Sequence, residues 1–314
     1  MNTSEVKFST FKWLDLVSPD TKTLESIAAE INMPKKLLVN CLDPDYLPHT
    51  ETYGENRFIV LRLMEPKTLN TADTVQELTT KIALFVTPEK IISIHRLPLN
   101  NEITQIQDKL KSFVAEDVSK YHVIALFFEQ ISIGFNSPII DLEHRMEIFE
   151  EKIFRSERTK STLLEGYYIK RQASAFKKVL RFTIEMQNKI MQRMDTPSGQ
   201  MQEIRDQFER NLYYADDVFE NVQSLLNLHI AMASQKTNEA SYKTNEIVRV
   251  LTVLTIFFSP LNFLTGLYGM NFEHIPLLGH IWGFWFALLV MLLISGLLLI
   301  YVLKKGWLRD PPKS

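Results

Sequence analysis

Two stretches of the chain carry no charge. Residues 250–272 contain no Asp, Glu, Lys or Arg, and neither do residues 281–303; each run is 23 residues long. At about 1.5 Å per helical residue each reaches roughly 34 Å, enough to cross a hydrocarbon core of about 30 Å. A pair of buried core helices is the competing reading. The second run, IWGFWFALLVMLLISGLLLIYVL, argues against it, because it is apolar on every side. A surface helix of a soluble domain keeps a polar face. The rest of the chain is charge-rich, so the 46% hydrophobic fraction is unevenly spread.

Flanking charges orient the two spans. Lys236, Lys243 and Arg249 precede the first, and Lys304, Lys305, Arg309 and Lys313 follow the second. The connecting YGMNFEHIPLLGH has no Lys or Arg. Both termini are therefore expected in the cytoplasm, in a multi-pass protein of the inner or plasma membrane. Tyr268, Trp282, Trp285, Tyr301 and Trp307 stand near the span ends, as interfacial aromatic residues do.

Lys plus Arg total 35 and Asp plus Glu 37. This balance gives no basic excess, so no nucleic-acid partner is expected. Cys41 is the sole cysteine, which rules out an intrachain disulfide or a Cys-rich metal site. The N-terminal MNTSEVKFST lacks the basic-then-apolar layout of a secretory signal.

Residues 57–64, 77–87 and 90–97 are rich in β-branched residues and bounded by turn formers, with Pro88-Glu89 as a hairpin turn. Residues 20–32 and 101–117 are predicted helices, with Asp20 and Asn101 as N-caps. The first part of the chain, 1–137, is thus expected to be a cytoplasmic α/β domain. Residues 139–196 hold one glycine, Gly166, and no proline, which predicts a long amphipathic helix. DTPSG at 195–199 supplies a turn. From Gly199 to Pro260 there is no intervening glycine or proline, and Ile204, Phe208, Leu212, Ala215, Phe219, Val222 and Leu226 recur at steps of three and four. One helix over about 201–268, on the order of 100 Å long, follows. The expected division is an α/β domain (1–137), an antiparallel pair of long cytoplasmic helices (138–247), a first span (248–268), an external loop (269–280), a second span (281–303) and a basic tail (304–314).

At about 100° per residue, Asn245, Val248, Leu251, Thr252, Thr255, Ser259, Asn262, Gly266 and Gly269 fall within an arc of roughly 100° on the first span. Thr265 lies just outside. Small and hydroxylated residues pack helices together in membranes. They also line water-filled paths, and an amide such as Asn262 at mid-membrane depth needs a polar partner. Two spans cannot enclose a pore, so the second reading requires a ring of subunits.

Tyr268-Gly269-Met270-Asn271-Phe272, joining two C-terminal spans, resembles the GMN signature of the CorA family of magnesium and divalent-cation transporters. KTNEIVRVLTVLTIFFSPLNFLTGLYGMNF (243–272) is similar to that family's pore helix, and Lys304-Lys305-Gly306-Trp307-Leu308 to its basic tail. The specific match covers about residues 243–308; upstream the likeness is one of layout. The resemblance implies a funnel-shaped homopentamer whose first spans line the pore while the second face lipid. It places a ring of Asn271 at the outer mouth as the filter for a hydrated ion, with the Gly269 carbonyl beside it. Asn262, Ser259, Thr255, Leu251, Val248 and Asn245 then line the pore, Leu251 and Val248 form an apolar gate, and Glu273 adds negative potential at the mouth. The loop histidines His274 and His280 are read as interface residues rather than transition-metal ligands.

Two departures stand out. Ser259 occupies a place where the resemblance would put a bulky apolar gate residue. Arg210 occupies the place of a regulatory interface aspartate, and Asp206, Asp216, Asp217 and Glu220 nearby are read as solvated or ion-paired. The implied cargo is Mg²⁺, with Co²⁺ or Ni²⁺ as further ions, and no cofactor. No GxxxxGK[ST] phosphate loop is present, so ATP coupling is unsupported. A divalent ion crossing 100 mV gains about 4.6 kcal/mol without it. The alternative within transport is a zinc transporter of the ZntB type, possibly proton-coupled, although that group commonly carries GIN instead of GMN. The third reading is a membrane-tethered enzyme. The seven histidines (49, 95, 122, 144, 229, 274, 280) fall in no HExxH and no useful Ser-His-Asp order, so no catalytic residues are assigned.

Overall fold

The computed structural model describes residues 3–34, 37, 41, 43–65, 68–113, 118–155, 160–192, 199–271, 275–277 and 279–307. Its contacts divide the chain into two units, Met1–His229 and Ile230–Ser314.

In the first unit, strands β1 (Thr3–Lys7) and β2 (Lys12–Val17) precede helix α1 (Thr21–Glu30). Strands β3 (His49–Tyr53) and β4 (Asn56–Met64), a single-turn helix α2 (Val75–Leu78), and strands β5 (Thr79–Val86) and β6 (Lys90–His95) follow. They form one six-stranded sheet in the order β1-β2-β6-β5-β4-β3. Every neighbouring pair is antiparallel except β2 and β6, which run parallel. The β5–β6 turn is the expected Pro88-Glu89, closed by Thr87 N–H donating to the Lys90 carbonyl at 2.8 Å.

Strand residues alternate between faces, and both faces of this sheet are covered. On one side Trp13, Ile59, Leu61, Ile82, Leu84 and Ile91 join the large core beneath the long helices. On the other, Leu16, Phe58, Val60, Ala83, Phe85, Ile92 and Ile94 pack with Leu24, Ile27 and Ala28 of α1. Two buried faces explain why β4 to β6 read as near-continuous apolar runs rather than alternating ones. Asp20 caps α1 as expected, accepting from Thr23 N–H at 2.9 Å.

Helix α3 (Asn100–Lys111) is shorter than predicted and is capped by Leu99, not Asn101. Two further expectations are corrected. The boundary expected between residues 137 and 138, just before Pro138, falls inside α4 (Lys120–Phe154). Proline removes one i→i−4 bond and its ring crowds the i−4 carbonyl, and here that residue is Gly134. Both are half-buried. The single helix expected over 139–196 is two, α4 and α5 (Lys160–Met191). Gly166 explains its own presence at their contact. A Cβ there would stand 2.5 Å from the ring of Phe149, which is fully buried. The DTPSG turn falls mostly outside the described residues.

Helix α6 runs Gly199–Tyr268, as the sequence led one to expect. In the first unit it buries Met201, Ile204, Phe208, Asn211, Ala215, Val218, Val222, Leu225 and His229. Steps of three and four place all of these on one stripe. Polar cross-ties accompany it: Asn211 donates to the Ser132 carbonyl at 3.1 Å and Gln187 to the Met201 carbonyl at 2.8 Å.

The second unit holds the remainder of α6 and helix α7 (Gly283–Lys304). Three helices among the described residues are long and apolar enough to cross a membrane: α4, α6 and α7. The apolar window of α4 is 61% buried within the protein, whereas that of α6 is 0% and that of α7 6% buried.

Candidate ion path and its outer end

The apolar part of α6 presents Val248, Leu251, Thr252, Thr255, Ile256, Ser259 and Pro260 to one shallow groove of about 520 Å³. Five of these are on the predicted arc. Ile256 and Pro260 are not: at about 100° per residue they fall beyond its Asn245 edge, so the groove extends past the arc on that side.

The hydroxyl geometry in this groove is directional. Thr252 donates to the Val248 carbonyl at 2.7 Å and Thr255 to the Leu251 carbonyl at 2.8 Å. A hydroxyl has one proton and two lone pairs. With the proton committed to the helix's own carbonyl, each threonine offers only acceptor capacity outward. Pro260 has no N–H, so the Ile256 carbonyl lacks its usual i+4 donor. At these positions the surface turns oxygen acceptors outward between apolar side chains; Ser259 adds a hydroxyl, and the groove carries no formal charge.

Asn245 and Asn262 are exposed on the same helix but are not among the groove's lining residues. Gly266 is also exposed, and Thr265, off the arc, donates to the Asn262 carbonyl at 3.1 Å. Leu251 is 61% and Val248 52% exposed, so neither is packed within its own chain.

At the C-terminal end of α6, Gly269 N–H still bonds the Thr265 carbonyl at 2.9 Å. A Cβ at Gly269 would stand 3.1 Å from that same oxygen, which is tighter than most side chains tolerate. The chain then leaves the helix at Met270, and Asn271 follows, exposed. Asn271 is not among the residues of positive φ, so it does not serve as a left-handed helix cap. Glu273 and His274 lie outside the described residues. His280 lines a second pocket, of about 430 Å³, with Thr265, Tyr268, Gly269, Leu277 and Gly283. Leu277 adopts φ +73°, and a Cβ at Gly283 would stand 2.0 Å from its carbonyl oxygen, so only glycine fits at the start of α7.

In the first unit, Arg210 lines a groove with Asn136, Glu143, Gln207, Asn211 and Tyr214. Asp216 is ion-paired with Lys177 of α5, whose ammonium lies 4.2 Å from the Phe219 ring centre. Asp217 accepts from Asn221 at 3.0 Å. Among the described residues no group of three or more His, Cys, Asp or Glu side chains gathers to hold a metal ion. Cys41 is buried, and burial pushes its thiol up to about 12, which keeps it a neutral thiol.

Comparison with known proteins places the chain. A family model described as CorA-like Mg²⁺ transporter protein matches residues 8–305. The cobalt/magnesium transport protein CorA of Thermotoga maritima is 25% identical over 311 residues, covering 96% of this chain and 84% of that one. The complete structure of the CorA magnesium transporter from Methanocaldococcus jannaschii aligns with a TM-score of 0.57 at 18% identity, over 97% of this chain and 94% of that one. The ZntB cytoplasmic domain from Vibrio parahaemolyticus aligns with a TM-score of 0.58 at 11% identity, over 72% of this chain and 89% of that one. The chain belongs to the CorA-like Mg²⁺ transporter family.

Proposed function

We propose that the protein passes hydrated divalent cations, Mg²⁺ foremost and Co²⁺ or Ni²⁺ besides, down their electrochemical gradient. The observation that carries this reading is the uncharged, acceptor-rich groove on α6, together with GMN at that helix's C-terminal end. One chain cannot close a path, and the reading needs a ring of copies, five by the family's form. Each copy spans the membrane twice, through 248–268 and 281–303, with the 269–280 loop outside and the basic tail (304–314) in the cytoplasm.

Mg²⁺ gives up its waters reluctantly. Neutral amide oxygens of an Asn271 ring accept hydrogen bonds from those waters and leave the shell intact, with the Gly269 carbonyl close by. A ring of carboxylates would hold the ion more tightly, and conduction needs a site the ion can leave. Glu273 would raise the local cation concentration without gripping the ion. Further in, Asn262, Ser259 and Thr255 continue the neutral lining. Leu251 and Val248 narrow it with apolar side chains that shut a path by dewetting, and Asn245 marks the cytoplasmic entrance. Arg210 and the Lys177–Asp216 pair support the view that a divalent ion does not regulate this chain at that place.

Uptake of Mg²⁺ into proteoliposomes tests the reading. Asn271→Ala is expected to lower uptake or selectivity by about 10-fold or more, equivalent to about 1.4 kcal/mol at the filter. Unchanged uptake and selectivity in that variant would overturn it. The likeness to the ZntB cytoplasmic domain favours a second reading, zinc transport driven by protons. A pH gradient that drives Zn²⁺ but not Mg²⁺ uptake would select it.

A further inference from the structure

Among the described residues, strand β1 and the loop that follows join the sheet only through β2, and β2 joins it only through the parallel ladder to β6. Four polar side chains cross that ladder inside the large core. Trp13 Nε1 donates to Ser93 Oγ at 2.9 Å, and the Ser93 hydroxyl donates to Asp15 Oδ1. His95 Nε2 stands 3.1 Å from Asp15 Oδ1 and 3.2 Å from Oδ2, while its Nδ1 stands 2.5 Å from the Leu97 carbonyl oxygen. Asp15 is 5% exposed, His95 1%, and Ser93 fully buried.

The protons can be assigned one by one. An indole N–H only donates, so Ser93 Oγ accepts from Trp13 and turns its own proton to Asp15. The Leu97 carbonyl only accepts, so Nδ1 carries a proton. The Asp15 carboxylate, already accepting from Ser93, also faces Nε2. A neutral imidazole has a single N–H and would set a lone pair against one of its two acceptors. All the contacts are satisfied when the imidazole holds both protons. This is not a nucleophile's arrangement: Asp15 stands between the hydroxyl and the imidazole, and the group is closed to solvent.

We infer that a proton held between His95 and Asp15 clamps the β1–β2 hairpin to the rest of the sheet, so that the hairpin loosens as the surrounding pH rises. Burial by itself drives the imidazolium toward losing its proton. The Asp15 carboxylate, the Leu97 carbonyl and the charge of Glu102 on α3 outweigh burial and raise the His95 pKa above 6.5. Asp15 from β2 and Glu102 from α3 are the charged groups that act on it. Its partner across the ladder on β5 is the apolar Ile82, and α4 meets this region through Phe127, edge-on to Trp13 at 5.6 Å. A group whose folded pKa is raised contributes stability that is complete below pH 6.5 and lost as pH climbs through the folded value. The hold on β1 and β2 therefore weakens on the alkaline side.

Hydrogen exchange of the full-length protein in detergent tests this. Between about pH 6 and about pH 9, protection of the β1 and β2 amides, corrected for base-catalysed exchange, is expected to fall about tenfold. In His95→Gln, which cannot titrate, the corrected protection should be lower at acidic pH and level across the range. Asp15→Asn should move the fall to lower pH. If the unsubstituted protein shows level protection, the clamp does not exist, whatever the variants do. A fall that persists unchanged in His95→Gln assigns it to another group and equally overturns the inference.

Discussion

Helices α4 and α7 are both apolar enough to cross a bilayer, and their surroundings are opposite. In α4, Phe127, Phe128, Ile131, Phe135, Ile139 and Phe149 are buried against the sheet and the neighbouring helices. In α7, Phe284, Trp285, Leu292 and Leu297 are each at least 60% exposed. Both are long and apolar enough to span; the polar residues among the apolar ones separate them. Helix α4 carries Glu129, Gln130, Ser132, Asn136 and Asp141 among its apolar residues, and Ser132 bonds to α6 through both its hydroxyl and its carbonyl. Between Gly283 and Leu303, α7 offers only Ser295 and Tyr301 as polar side chains. A helix that leaves apolar groups outward on every side has no place in water, and lipid is the solvent that suits it.

Substitutions can break this contrast. The largest effect is expected in α4: Phe128→Ala should cost about 3–5 kcal/mol, read from thermal or denaturant unfolding in detergent. Gly166→Ala comes next, at about 1–3 kcal/mol, because the buried Phe149 ring cannot withdraw from a new methyl group. The smallest effect belongs to α7, where Leu292→Ala should stay within about 0.5 kcal/mol of the parent. Should Leu292→Ala prove as damaging as Phe128→Ala, α7 would be a core helix and the contrast would fail.

What was legible in the sequence followed from local pattern. Strands β4 to β6 announced themselves through β-branched runs between turn formers. The stripe of α6 was visible because steps of three and four persist from Ile204 to Leu226, although Leu212, Phe219 and Leu226 are only partly buried and Asn211, Val218 and Leu225 beside them are the buried residues. The hydroxyl stripe around Thr255 was visible for the same reason. Features set by distant partners were not legible. The hairpin β1–β2 is short and partly polar, and its pairing with β6 joins residues 78 apart in the chain at Asp15 and Ser93. No periodicity reports such a contact. Histidine 95 looked like one of seven unremarkable histidines until the sheet brought Asp15 to it. The end of α4 at Arg155 was hidden because no glycine or proline marks it in the sequence. Pro138 misled in the opposite direction, since a proline on a half-buried helix face can be accommodated beside Gly134.

The two threonines that bond back to their own helix have a consequence for the sign of the charge they admit. At those two positions the hydroxyl proton is turned inward, so an approaching ion meets an oxygen lone pair, a lining that favours cations over anions without a fixed negative charge. Such a wall would sort ions by charge while holding none of them fast.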